Sequence, residues 1–121
     1  MNVAIALLLL AVMGPVPSPY DTKKHFERTP ETITVSVEIM PAAGWKWNKH
    51  YPSRFFINLP ANTELLRENI TFFKGRPRIT FSIRGRTRLI KKVTVEGTFS
   101  LCTDALCKTW RREKFSIGEK E

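Results

Sequence analysis

The sequence predicts an all-β, antiparallel sandwich, and three observations carry that prediction. Apolar residues alternate with polar ones in several short runs, which is the period of a half-buried strand. Turn signals separate these runs about every eight to twelve residues. No run of helical period is long enough for a helix of ordinary length. The chain has 121 residues, which suits one domain with a single core. About seven strands over residues 30–117 give a size near that of an immunoglobulin-like domain.

The chain opens with Val3–Met13, VAIALLLLAVM, an apolar run without a charge. It is too short for a transmembrane helix, which needs about 20 residues, and has the length of the apolar region of an export signal. Residues 1–19 are therefore expected to direct export, into an oxidising compartment that permits a disulfide. Pro15 to Pro30 holds four of the eight prolines and the mixed charges of DTKKHFER. Residues 20–30 are expected to form an extended arm. His25 lies here without an apparent partner and is expected to be solvated.

Thr32–Ile39 places Ile33, Val35, Val37 and Ile39 at alternate positions and is the cleanest strand of the first half. Pro41-Ala-Ala-Gly44 breaks it. Trp45 and Trp47 share one phase of a short strand and are expected to cap one end of the core. Arg54–Leu59 alternates Phe55, Ile57 and Leu59 and stops at Pro60. Ala61–Glu68 is expected to form one helical turn, capped by Asn62 or Thr63. Asn69–Phe73 is a short strand, Lys74–Pro77 a turn, and Arg78–Arg84 a strand built on Ile79, Phe81 and Ile83. Gly85-Arg-Thr-Arg88 is a second, basic turn.

The last strands hold both cysteines of the chain. Val93, Val95, Phe99 and Leu101 alternate with Thr94, Glu96, Thr98 and Ser100, with Gly97 in the apolar phase. Phe115 and Ile117 mark the returning strand. Between them Cys102-Thr-Asp-Ala-Leu-Cys107 encloses four residues, which suits a hairpin connection. Opposed Cα atoms in antiparallel strands lie about 4.5–5.5 Å apart, within disulfide range. A Cys102–Cys107 bridge would close a loop of about six residues and contribute roughly 2 kcal/mol by chain entropy, between strands already paired. Cys102 also falls in the polar phase, on the solvent side. Two readings stand side by side: a local structural clip, or an accessible dithiol suited to redox exchange.

Other chemistry is bounded by absence of motif. The sequence contains no P-loop, G-x-G-x-x-G, H-E-x-x-H or G-x-S-x-G pattern. Cys102, Cys107, His25 and His50 are the only cysteines and histidines and lack ligand spacing, so neither a metal nor a cofactor is expected. The net charge is +9, which attracts anionic partners. Lys74, Arg76, Arg78, Arg84, Arg86, Arg88, Lys91 and Lys92 crowd nineteen positions, and Lys108, Arg111, Arg112 and Lys114 follow the second cysteine. Arg84, Arg86, Arg88, Lys91, Lys92, Arg111 and Arg112 are the candidate anion-binding residues. A polyanionic surface partner fits them, but no base-reading motif points to specific nucleic acid. A cationic setting would also favour thiolate at the cysteines.

Cys102-Thr-Asp-Ala-Leu-Cys107, entered through VEGTFSLC, resembles the cysteine segment of the amino-terminal periplasmic domain of the thiol:disulfide interchange (DsbD) family. Cys102, Asp104, Ala105 and Cys107 match its C-x-D-A-x-x-C pattern, with one residue fewer between the cysteines and without the prolines that usually follow. Pro41–Tyr51 is similar to that family's early Gly-aromatic segment. The resemblance implies an immunoglobulin-like sandwich over residues 31–118, followed by a charged tail at 119–121. It also implies a location in the bacterial periplasm or cell envelope, and a protein-disulfide reductase role. Cys102 and Cys107 would be the catalytic pair, exchanging electrons with periplasmic or membrane thiol–disulfide proteins in trans. The alternative is a non-catalytic binding domain with a hairpin disulfide and a basic face.

Overall fold

The computed structural model describes residues 17–119, all strand and loop, in two antiparallel sheets packed face to face. The export segment predicted at the amino terminus lies almost wholly outside the described residues. Eight strands follow in order: β1 (Tyr20–Arg28), β2 (Thr32–Pro41), β3 (Lys46–Trp47), β4 (Arg54–Asn58), β5 (Thr63–Phe73), β6 (Arg76–Gly85), β7 (Lys92–Cys102) and β8 (Cys107–Gly118). One sheet runs β1-β2-β6-β5. In the other, β8 pairs along the whole of β7, and β3 and β4 share the opposite side of β7 end to end.

The alternating runs of the sequence form the inner faces. Ile33, Val35 and Val37 of β2 stand opposite Ile83, Phe81 and Ile79 of β6. Val93 and Val95 of β7 stand opposite Ile117 and Phe115 of β8. All ten side chains are buried, and full burial of such a side chain stabilises by about 1.5–3 kcal/mol. Phe99 is the hub: Tyr20, Trp47, Phe55, Trp110 and Phe115 have ring centroids 5.2–6.3 Å from its own. Trp45 and Trp47 pack on one end of the core, as their shared phase predicts.

Three segments depart from the sequence reading. The stretch read as an arm is the edge strand β1, in register with β2 from Tyr20↔Pro41 to Arg28↔Ile33. Only Tyr20 and Phe26 of its inward phase are apolar and packed on the core. The remaining inward positions are Thr22, Lys24 and Arg28, and such charged residues are usual where a sheet edge meets water. This strand raises the count from seven to eight. The helical turn expected over Ala61–Glu68 is absent. Asn62 turns the chain at a φ of 63° and β5 begins at Thr63. The turn at Lys74–Pro77 is shorter than predicted. Lys74 and Gly75 alone make it, with φ of 52° and 75°, the signature of a two-residue type I′ hairpin. Pro77 already lies in β6, buried opposite Phe72.

Candidate functional site

The long β7–β8 hairpin positions the cysteines. At its tip Thr103 N donates to Leu106 O at 2.7 Å. The Thr103 hydroxyl accepts from the amides of Ala105 and Leu106 at 3.2 and 3.1 Å. These bonds fix the four-residue connection. Because Thr103 and Leu106 share a ladder bond, the next pair, Cys102↔Cys107, occupies a non-hydrogen-bonded position, where opposed Cα atoms come closest. Their Cα atoms are 4.0 Å apart and a disulfide joins them. Cys102 is half-buried and Cys107 exposed, so the pair sits on the solvent side, as its phase predicts.

The surroundings of the pair are cationic above and aromatic beneath. Lys46 of β3 stands opposite Cys102 on the other side of β7, on the same outward face. Next along that face lies Ser100, which is buried. Its carbonyl accepts from Asn48 N at 2.9 Å and its hydroxyl from Asn48 Nδ2 at 3.4 Å. On the inward side Trp110 stacks on Phe99, and Lys108 Nζ lies 5.3 Å from the centre of the Trp110 ring. Tyr20 stands edge-on to Trp110 at 5.2 Å and donates its hydroxyl to Glu113 Oε2 at 2.5 Å. Burial, reinforced by the hydrogen bond and the charge of Glu113, holds the Tyr20 phenol well above the ordinary tyrosine range. These contacts tie β1 to β8 behind the cysteine tip.

The seven predicted anion-binding residues do not form one face. Arg84, Arg86, Arg88, Lys91 and Lys92 gather around the β6–β7 connection, at the opposite end of β7 from the cysteines. Eleven residues separate those ends, a span of roughly 30 Å. Arg84 there pairs with Glu64, and Lys91 Nζ lies 3.7 Å from Glu119. Arg111 and Arg112 sit midway along β8, at a bulge where Arg112 takes a φ of 54° and its amide donates to Thr98 Oγ1 at 3.0 Å.

The cations near the cysteine end lie outside the seven candidate residues, although Lys74 and Arg76 belong to the basic run named from the sequence. Lys46, Lys49, Lys74 and Arg76 line one surface hollow with Pro41, Trp45 and Trp47. They come from β3, the β3–β4 connection, the β5–β6 turn and β6, and nothing local in the sequence singled out Lys46 or Lys49. His25 is exposed. No three His, Cys, Asp or Glu side chains gather as a metal site among the described residues. Comparison with family models, curated proteins and solved structures gives no match.

Proposed function

We propose that this chain is an exported thiol–disulfide exchange domain of the bacterial cell envelope, working through Cys102 and Cys107. One observation carries the reading. The disulfide joins directly opposed residues at an exposed hairpin tip, where the strands are already paired and the bond holds no distant segments together. A bond so placed can open and close without loss of the fold. The motif resemblance around Cys102–Cys107 points the same way.

The exchange balances as follows. A thiolate of a partner dithiol protein attacks Sγ of Cys107, the more exposed of the two cysteines, forming a mixed disulfide. The Cys102–Cys107 bond breaks and its electron pair leaves on Cys102 Sγ, on the residue paired across β7 with the cationic Lys46, a setting that favours thiolate. The partner's second thiolate attacks its own sulfur in the mixed disulfide and releases Cys107. The partner is then oxidised to a disulfide. This chain holds two reduced sulfurs, which take up the two protons the partner's thiols lost. The same steps in reverse pass the two electrons to an oxidised envelope protein.

The test is the reduction potential of the pair, measured by equilibrating the protein in glutathione buffers and trapping free thiols. A value of roughly −270 to −180 mV supports exchange. A value below about −300 mV marks a structural disulfide. It would favour the competing reading, a non-catalytic binding domain whose basic residues meet an anionic surface partner.

A further inference from the structure

We propose that the open side of the sandwich, between β4 and β5, docks an extended polypeptide segment of a partner protein. That segment carries apolar side chains at alternate positions and acidic side chains at its end nearest the cysteine tip. The inference goes beyond the exchange reading and does not depend on it.

The apolar surface of the molecule is gathered there. Nine large hydrophobic residues are exposed among the described residues, and seven lie on β4, β5 or their connection. Ile70 and Phe72, which face inward with Ile79 and Pro77, are nonetheless 44% and 59% exposed, values foreign to the inner face of a sheet that another sheet covers. The two sheets part at this side. A cavity of about 620 Å³ is lined by Trp47, Tyr51, Phe55, Ile70 and Phe72. It runs, through shared Phe55 and Ile70, into a second of about 510 Å³ floored by Ile79 and Phe81.

The backbone of β5 fits a strand rather than another apolar guest. In a two-residue hairpin the residues flanking the turn form a hydrogen-bonded pair, here Phe73 and Arg76. By alternation Thr71 and Asn69 bond to β6, while Phe72 and Ile70 turn their N–H and C=O to the free edge. Ile70 and Phe72 also point their side chains into the cavity. A polypeptide paired along this edge would satisfy those backbone groups and send every second side chain into the same trough. The usable length is bounded. A bulge at Leu66 and the charges of Arg67 and Glu68 interrupt the edge on one side, as edges that resist promiscuous pairing do. Asn69–Phe73 carries no charge.

Charge selects the occupant. Lys46, Lys49, Lys74 and Arg76 surround the mouth of the trough at the cysteine end, and no carboxylate lines it. None of the four is in an ion pair among the described residues. A second copy of the chain would bring another +9 and its own cationic mouth, which disfavours self-pairing.

The experiment titrates the full chain by calorimetry with three capped peptides: EEVTVTVEE, KKVTVTVKK and EESTSTSEE. The first is expected to bind, the second to bind at least about tenfold more weakly, and the third not to bind. Reversing two cations at the mouth, in Lys49→Glu/Arg76→Glu, is expected to weaken the first peptide by about tenfold. Ile70→Ser/Phe72→Ser, checked for native circular dichroism, is expected to abolish binding. Equal binding of all three peptides, binding of none, or undiminished binding to the folded serine variant overturns the proposal. Sedimentation as a dimer that EEVTVTVEE does not dissociate also overturns it, by showing a second copy on the edge.

Discussion

Removing the disulfide tests how much of the fold rests on it. The perturbation is Cys102→Ser/Cys107→Ser. The two cysteines are five apart in sequence, so the closed loop has about six residues. The chain-entropy relation then assigns about 2 kcal/mol at 25 °C. Domains of this size have stabilities of about 5–15 kcal/mol, so the variant stays folded. With a urea slope of about 1–3 kcal/mol/M, the midpoint falls by roughly 1–2 M without a change of slope. The same free energy appears in the redox equilibrium. Since about 30 mV corresponds to 1.4 kcal/mol, the native pair is about 45 mV harder to reduce than the same pair in the denatured chain. Both numbers come from two assays: urea unfolding followed by tryptophan fluorescence, and glutathione equilibration with and without guanidinium. A stability loss above about 4 kcal/mol, or a gap above about 85 mV, would refute the argument. The bridge would then be a staple, and the case for exchange would lose its structural basis.

Three further outcomes follow from the packing. Tyr20→Phe removes a hydrogen bond to a charged carboxylate and is expected to cost about 1–2 kcal/mol in urea unfolding. The Tyr20 phenol is held above its ordinary range in the fold, while the unfolded chain titrates near 10. Above about pH 10 the unfolded state therefore holds fewer protons than the native state, and stability falls as pH rises. Wild type should lose more stability than Tyr20→Phe between about pH 9 and 11, and equal losses would remove Tyr20 as the cause. Gly97→Ala places a Cβ 2.5 Å from Phe55 Cε1 and 2.7 Å from Cδ1, and should cost about 1–3 kcal/mol. Adding Phe55→Leu should recover part of that loss in a double-mutant cycle, and strict additivity would show that the clash is not the cause. Thr87 is buried and its hydroxyl reaches the carbonyls of Thr29 and Pro30 at 3.1 and 3.2 Å. Thr87→Val should therefore cost about 1 kcal/mol, and an unchanged melting temperature would show those contacts to be dispensable.

How much was legible in the sequence follows from where period two is kept and where it is broken. β2, β6 and β7 keep strict alternation because both their neighbours and the opposing sheet bury one face. Their residues could be read directly as core. β5 and β8 each carry a bulge, which shifts the inward phase by one residue. Leu65 and Ile70 therefore both face inward although their spacing is odd, and the stretch before Asn69 resembled a helical turn. Trp110 and Phe115 face inward for the same reason, on either side of Arg111–Arg112. β1 was missed because an edge strand packed on one face needs few apolar residues.

By itself the sequence determined the all-β class, the hairpin, the opposition of Cys102 and Cys107, and the outward side of that pair. All of these are local consequences of alternation and loop length. The tertiary structure alone decided which cations share a site. It separated Arg84–Lys92 from the cysteines by the length of β7. It also brought Lys46, Lys49, Lys74 and Arg76 together from elements distant in the chain. It decided as well that β4 and β5 lie apart at one side of the sandwich, leaving the inward-facing Ile70 and Phe72 partly in solvent. Burial of a strand depends on what the opposing sheet places over it, and no pattern within β5 records that.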